Sequence, residues 1–460
     1  MERRVSSAAP RLLAASVLAM VLAVQGCDGH RDGSSNTGTA SADAASPGAA
    51  ATPTLATGAP RALASADRGE YLSRAANCIG CHTPAGGAPF SGGLAVNSPF
   101  GKIYSTNITP DPWFGIGRYS YDDFARVLRE GRVPGGRHLY PAMPYTAYTH
   151  LQEEDVRSLY DFLMQRVAPV RTPSPPTRLP FPFNQRWVLG AWQAMFLDRG
   201  PQPARADRSA EWNRGAYLVQ AVGHCGACHT PRGPAYQEKG GDPSSPHFLT
   251  GEVNDRWYAP NLTGAMGDGL GRWKAEEIAS FLKTGHGARE IAYGSMAGTV
   301  VDSLQHLRED DLRAMAVYLK ALPARKSSAS YAPEGVPARS PAKGDLTVDS
   351  ESVGAVVYRS FCVQCHQPDG GGVPELFPRL AGSSSVLGAK PDSLIRLVLE
   401  GGDSAETLTG PPRRHMPGFA AQLTDPEVAQ VLTHVRSSWG NDARPVTGSQ
   451  VAKVRRQSGK

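Results

Sequence analysis

At 460 residues the chain is too long for one compact core and has room for about three domains of roughly 100–150 residues. Its 40% hydrophobic content is that of a globular protein, its 50 Gly and 38 Pro call for many turns, and its aromatic content of 8% leaves the cores short of bulk. A formal charge of +6 is mild for this length and gives no strong argument for nucleic acid, which normally needs a concentrated basic face.

The chain opens with a targeting segment, residues 1–27. Arg3, Arg4 and Arg11 make a positive start, and Leu12 to Val24 is an apolar run too short for a comfortable membrane span. It ends in Val24-Gln25-Gly26-Cys27, which resembles a bacterial lipobox with Cys27 as the lipidated residue. An ordinary signal peptide with a chance cysteine is the alternative. Residues 28–62 are dominated by Ala, Gly, Ser, Thr and Pro and cannot bury enough surface to fold. They read as a flexible tether with a reach of about 30 Å.

Three similar units follow: residues 63–167, 208–322 and 351–440. Each opens with a predicted helix carrying Gly and Tyr: Gly69 and Tyr71, Gly215 and Tyr217, Gly354 and Tyr358. Each closes with an amphipathic helix, shown by Val156, Leu159, Tyr160 and Leu163, by Leu312, Met315, Ala316 and Leu319, and by Val428, Val431, Leu432 and Val435. Thr424-Asp-Pro-Glu427 is a capping box that starts the last of these. The first two units also share Tyr104-Ser-Thr-Asn107-Ile-Thr109 and Tyr258-Ala-Pro-Asn261-Leu-Thr263. No comparable run of period two occurs, so the predicted fold class is all-α. Between the units, residues 168–207 form a Pro-rich linker with a predicted short helix from Trp187 to Phe196, and residues 323–350 form a second linker that reads as mobile. The basic tail, residues 441–460, reads as disordered.

The cysteines carry the chemistry. There are seven; Cys27 belongs to the lipobox, and the other six form three Cys-x-x-Cys pairs, each followed at once by His. They are Cys78, Cys81 and His82; Cys225, Cys228 and His229; Cys362, Cys365 and His366. Two thiols three residues apart on a helical turn face one side and can form thioethers to both vinyl groups of one porphyrin, while the adjacent His reaches the iron. A structural zinc site would need a second pair closing on the first, and a thioredoxin-like motif would not repeat three times with His fixed in place. The expected cofactor is therefore three haem c.

The sixth ligand decides what such irons do, since an axial Met with His raises the potential and favours electron transfer. It is expected on a loop between the haem motif and the closing helix. Met143, Met296 and Met416 occupy equivalent places there, with Met266 a rival in the second unit. His138, His286 and His415 leave a bis-histidine alternative open. Met164 and Met315 read as core filler. The proximal His also needs an acceptor for its other ring nitrogen. The carbonyls of Pro378 and Pro260 are candidates, with Thr106 at the matching place in the first unit; simple turn chemistry is the alternative for the prolines. No phosphate loop, metalloprotease motif or nucleophile elbow is present, so no substrate site is expected on this chain.

From about residue 63 to 440 the sequence resembles the tri-haem cytochrome c subunits of bacterial membrane-bound alcohol, gluconate and related sugar-acid dehydrogenases. The resemblance rests on Tyr104-Ser-Thr-Asn-Ile-Thr-Pro-Asp111, on Phe181-Pro-Phe-Asn-Gln-Arg-Trp187, and on Trp212-Asn-Arg-Gly-Ala-Tyr-Leu218 leading into Gly223-His-Cys-Gly-Ala-Cys-His-Thr-Pro-Arg232. It implies three tandem class I-like cytochrome c domains, on the periplasmic face of the bacterial inner membrane. It implies electrons taken from a dehydrogenase catalytic subunit holding a flavin, PQQ or molybdenum cofactor and passed to ubiquinone or a downstream cytochrome or oxidase. The family often attaches by a hydrophobic or amphipathic C-terminal segment, whereas the tail here is polar, so lipid on Cys27 would replace that anchor. Two other readings stay open: a stand-alone multihaem shuttle to a terminal oxidase, and a haem enzyme such as a peroxidase with one open iron.

Overall fold

The computed structural model describes residues 58–254, 256–325, 327–332 and 352–459. The targeting segment with Cys27, most of the tether, residues 333–350 of the second linker and residue 351 lie outside the described residues.

Three helix crossings organise the chain. Gly58–Ala75 packs on Glu153–Gln165, Ala210–Tyr217 on Glu309–Lys320, and Val353–Phe361 on Asp425–Ser437. Each crossing is close because the contact residue lacks a side chain. A Cβ added to Gly69 would lie 1.8 Å from the Ser158 carbonyl oxygen, one on Gly215 1.9 Å from that of Ala314, and one on Gly354 2.3 Å from that of Gln430. The apolar stripes of the closing helices are buried as their spacing requires, except that Tyr160 is half-buried and its hydroxyl donates to the Tyr119 carbonyl at 2.9 Å. The capping box forms, with Thr424 N–H donating to the Glu427 carboxylate at 2.8 Å.

The opening helix of the second unit has one residue more between Arg214 and Cys225 than the first has between Arg68 and Cys78. A π-helical turn, Leu218–Val222, absorbs it, which is how such insertions are commonly tolerated.

The fold is mainly helical, as the all-α expectation has it, and among the described residues the only strands form four short antiparallel ladders that pair Ala95–Ser98 with Gly101–Tyr104, Glu252–Asn254 with Trp257–Ala259, Ser330–Tyr331 with Asn441–Asp442, and Gly402–Asp403 with His415–Met416. Strands of two to four residues are too short to leave a period-two signature. The basic tail is not disordered, since Gly448–Ser458 is a helix capped by Thr447. Val451 and Val454 bury one face in the third core, and Arg455 turns inward to Asp425 at 2.7 Å and to the carbonyls of Ala420 and Leu423. The start of the second linker is likewise fixed, because Ser327 and Ser328 donate to the Asp268 carboxylate at 2.8 and 3.0 Å.

The first linker does contain the expected helix, Val188–Phe196. Buried Gln193 donates to the Glu130 carbonyl at 2.9 Å on the first unit, and Trp192 donates to the Ala235 carbonyl at 2.9 Å on the second.

The three units do not have three separate cores. One apolar cluster runs through the first two, from Leu72, Leu159 and Phe162 to Leu218 and Leu319, while the third has its own around Tyr358, Leu399 and Val431. Reciprocal polar bonds brace the first pair. Tyr217 of the second unit donates to Asp155 of the first at 2.6 Å, and Tyr71 of the first donates to Asp311 of the second. Arg68 and Arg214 hold the same two carboxylates from within each unit, both at 2.7 Å. The third unit is joined to the second by bonds such as Ser383 Oγ–H and Ser385 N–H to buried Glu290, at 2.8 and 3.0 Å, and Arg272 to the Gly382 carbonyl at 2.6 Å.

Burial pushes the Asp311 carboxyl up, but bonds from Arg214 and Tyr71 and the charges of Arg214 and Arg308 outweigh it and bring it down to about 2. A carboxylate lowered in the folded state stabilises above its ordinary value of 3.8, and that contribution is lost as pH falls toward 2. Asp311→Asn should therefore cost about 2 kcal/mol at neutral pH, because it leaves half-buried Arg214 without its counter-charge. The gap between wild-type and variant melting curves should narrow as pH drops below about 4. Coincident curves at neutral pH would remove Asp311 from the brace.

Candidate functional site

Each Cys-x-x-Cys-His lies where an opening helix ends in a short turn: Cys78–His82, Gly226–His229 and Val363–His366. The six cysteines form no disulfide with one another. Burial, then the neighbouring cysteine of each pair, pushes the Cys78 and Cys225 thiols up to about 12 and the Cys362 thiol up to about 11. Among the described residues no three His, Cys, Asp or Glu side chains gather as a metal site of their own.

The histidines share one geometry. His82 Nδ1 lies 2.6 Å from the Thr106 carbonyl oxygen, His229 Nδ1 2.7 Å from that of Pro260, and His366 Nδ1 2.9 Å from that of Pro378. A carbonyl only accepts, so in each ring Nδ1 carries the proton and Nε2 keeps a free lone pair. Burial lowers the pKa of all three, partly offset by the carbonyl bond, so the rings are neutral at pH 7. A neutral, oriented imidazole with Nε2 unprotonated is what a metal ligand requires. Thr106 serves as well as the two prolines because the acceptor is main chain.

The first two motifs are neighbours. Burial and then the nearby Cys228 and Asp302 push the Cys81 thiol up to about 11, and His224 beside the second motif packs on Tyr148 of the first unit, with ring centroids 5.6 Å apart.

The methionines sit in three different settings. Met143 lies in a turn, half-buried against the shared core. Met296 lies in the helix Gly294–Asp302 rather than on a loop, and is also half-buried there. The Gly-rich approach through Tyr293-Gly294 concealed that helix from the sequence. Met416 lies in a two-residue strand against the third core. Met266 is 62% exposed, and Arg272 donates to its carbonyl at 2.7 Å. His138 is engaged with Gln193 at 2.7 Å, His286 with the Ala405 carbonyl at 2.9 Å, and His415 with Asp403 at 2.9 Å.

The residues present fit haem c, whose porphyrin carries two carboxylates at its edge. Arg379 directly follows the Pro378 that holds His366, and its Nε is buried without a partner. At the matching positions Asn107 donates to the Val170 carbonyl at 2.7 Å and Asn261 to Asp268 at 3.2 Å, so both are satisfied within the protein. The third site thus holds a guanidinium nitrogen that has no partner within the protein. Sequence reasoning passed over Arg379, although its departure from Asn in the repeat was there to be read. It also passed over Asp155 and Asp311, which stand at matching places just before Val156 and Leu312.

Residues 213–323 and 352–439 match the family model for cytochrome c, and residues 64–163 match that for cytochrome c oxidase, cbb3-type, subunit III. The gluconate 2-dehydrogenase cytochrome c subunit of Pantoea cypripedii is 43% identical over 85% of this chain and 89% of its own. The cytochrome c subunit of alcohol dehydrogenase (quinone) from Gluconobacter oxydans (strain 621H) is 41% identical over 84% and 81%. The fructose dehydrogenase cytochrome subunit of Gluconobacter japonicus is 38% identical over 88% and 85%.

Proposed function

The chain belongs to the family of cytochrome c subunits that serve gluconate, alcohol and fructose dehydrogenases, and from that premise we propose that it carries three haem c groups and relays electrons from a dehydrogenase catalytic subunit to ubiquinone or a downstream respiratory carrier. The observation that supports this most is the repeated imidazole geometry, with Nδ1 tied to the carbonyls of Thr106, Pro260 and Pro378. Each ring is held in the tautomer and orientation that leaves Nε2 for iron. When bound, haem c supplies a one-electron iron couple.

In this reading Cys78 and Cys81, Cys225 and Cys228, and Cys362 and Cys365 would hold the porphyrins through thioethers. His82 and Met143, His229 and Met296, and His366 and Met416 would hold the three irons. Thioether sulfur is a soft, neutral donor that favours the reduced iron, so a His/Met set gives relatively high potentials suited to accepting electrons. With a His and a Met holding each iron, the chain itself would not transform substrate. That chemistry belongs to the catalytic partner, which holds a flavin, PQQ or molybdenum cofactor. Lipid on Cys27 keeps the subunit on the periplasmic face of the inner membrane.

The test is purification of this chain from detergent-solubilised native membranes, with haem counted per polypeptide. Three haems and a dehydrogenase in stoichiometric amount are expected. Recovery with an oxidase alone would replace this reading by that of a shuttle, and fewer than three haems would remove at least one of the motifs.

A further inference from the structure

The segment that joins the first two units presents a surface that the electron-transfer reading does not use. Residues 168–197 contain Arg171, Arg178 and Arg186 and no Asp or Glu. Within them Phe181 is 79% exposed, Trp187 67% and Met195 67%, and Phe183 and Val188 are exposed as well. Single exposed apolar side chains need no explanation, but large ones clustered within so short a stretch do.

The exposure is not that of a loose loop. The Val188–Phe196 helix contains no charged residue, and it is held to the body by the face carrying Gln193 and Trp192. Trp187, Ala191 and Met195 recur at i, i+4 and i+8 along the other side, and all three are exposed. The approach to the helix is fixed too. Phe183 packs on Phe100 with ring centroids 4.5 Å apart, Tyr140 donates to the Phe183 carbonyl at 2.8 Å, and Arg186 donates to the His138 carbonyl at 2.9 Å. A rigid apolar strip is therefore held outward, with exposed Arg178 at its upstream end.

The chemistry of the strip identifies its occupant. Trp and Phe favour the boundary between acyl chains and headgroups, and Arg there meets lipid phosphate. A cation near an anionic surface is attracted to it, and a carboxylate would be repelled. No acid lies within residues 168–197, the complement of that charge, and the first one, Asp198, comes only after the strip has ended. We propose that the strip from Phe181 to Met195 rests on a bilayer containing anionic phospholipid. The contact goes beyond the electron-transfer reading, is separate from any lipid on Cys27, and is independent of which protein supplies the electrons.

The test uses the mature holoprotein, exported behind an ordinary cleavable leader so that it starts after Cys27 and carries no lipid. It is floated with vesicles of phosphatidylcholine mixed with phosphatidylglycerol, and with vesicles of phosphatidylcholine alone. Wild-type protein should float with the anionic vesicles in low salt, and less in high salt or on the neutral ones. The triple variant Phe181→Ser, Trp187→Ser, Met195→Ser should bind at least about tenfold more weakly. Arg178→Gln should weaken binding to the anionic vesicles only. Since all four side chains are exposed, an unchanged visible spectrum and melting curve verify folding in each variant. Wild-type protein that stays in solution, or a triple variant that floats as well as wild type, would overturn the proposal. A triple variant that floats normally but no longer co-purifies with the dehydrogenase would assign the strip to that protein instead.

Discussion

Replacing Met143, Met296 or Met416 by leucine, one at a time, is expected to lower one of three midpoint potentials by a few tenths of a volt, within the roughly 0.8 V that axial ligands span. The other two potentials should stay where they are. Leucine fills nearly the same volume, so the packing loss is under about 1.5 kcal/mol and the fold survives. What is lost is the sulfur, and with it the preference for reduced iron. The vacated position should then accept carbon monoxide in the reduced variant, which the wild-type protein should not do. Met266→Leu is the matched control in the second unit: its side chain is 62% exposed, and its replacement should move nothing. Redox titration of each variant, followed in the visible spectrum, decides the matter. A titration left unchanged by Met296→Leu would remove that residue from the axial set, and carbon monoxide binding to wild type would favour the haem-enzyme reading.

The parts of this structure legible in the sequence are those set by local spacing. Cys78, Cys81 and His82 define their chemistry within one turn, and Leu312, Met315, Ala316 and Leu319 define a buried stripe within two. Caps such as Thr424 with Glu427 are equally local. What stayed hidden depends on partners far along the chain. Tyr71 and Gly69 stand out as repeated residues, but nothing near them points to Asp311, which lies 240 positions away and in another unit. The tail misleads for a related reason: its charges dominate the composition, while the two valines that dock it are visible only once the third core is there to receive them. The helix that holds Met296 is masked by the glycines at its ends and middle, Gly294 and Gly298, which weaken any helical expectation.

Gly215→Ala is expected to loosen two units at once, and Gly354→Ala only one. The added Cβ at position 215 would lie 1.9 Å from the Ala314 carbonyl oxygen and 2.9 Å from the Tyr318 Cβ, so the two helices must move apart. Alanine gains about 1 kcal/mol over glycine in helix propensity, too little to offset the separation of a buried crossing. A net loss of about 3 kcal/mol follows, in the range of other overpacked cores. Because Tyr217, Leu218 and Leu319 share their cluster with Leu72, Leu159 and Phe162, the strain cannot stay within the second unit. Hydrogen exchange of the holoprotein should therefore rise in both Glu153–Gln165 and Glu309–Lys320, while Asp425–Ser437 is unaffected. Gly354→Ala, whose Cβ would lie 2.3 Å from the Gln430 carbonyl oxygen, should give the reverse pattern because the third core is separate. If Gly215→Ala raised exchange only in its own pair of helices, the shared core would not act as one cooperative body. The first two haem-binding units would then be independent modules held together by local contacts such as the Tyr–Asp brace and the linker helix.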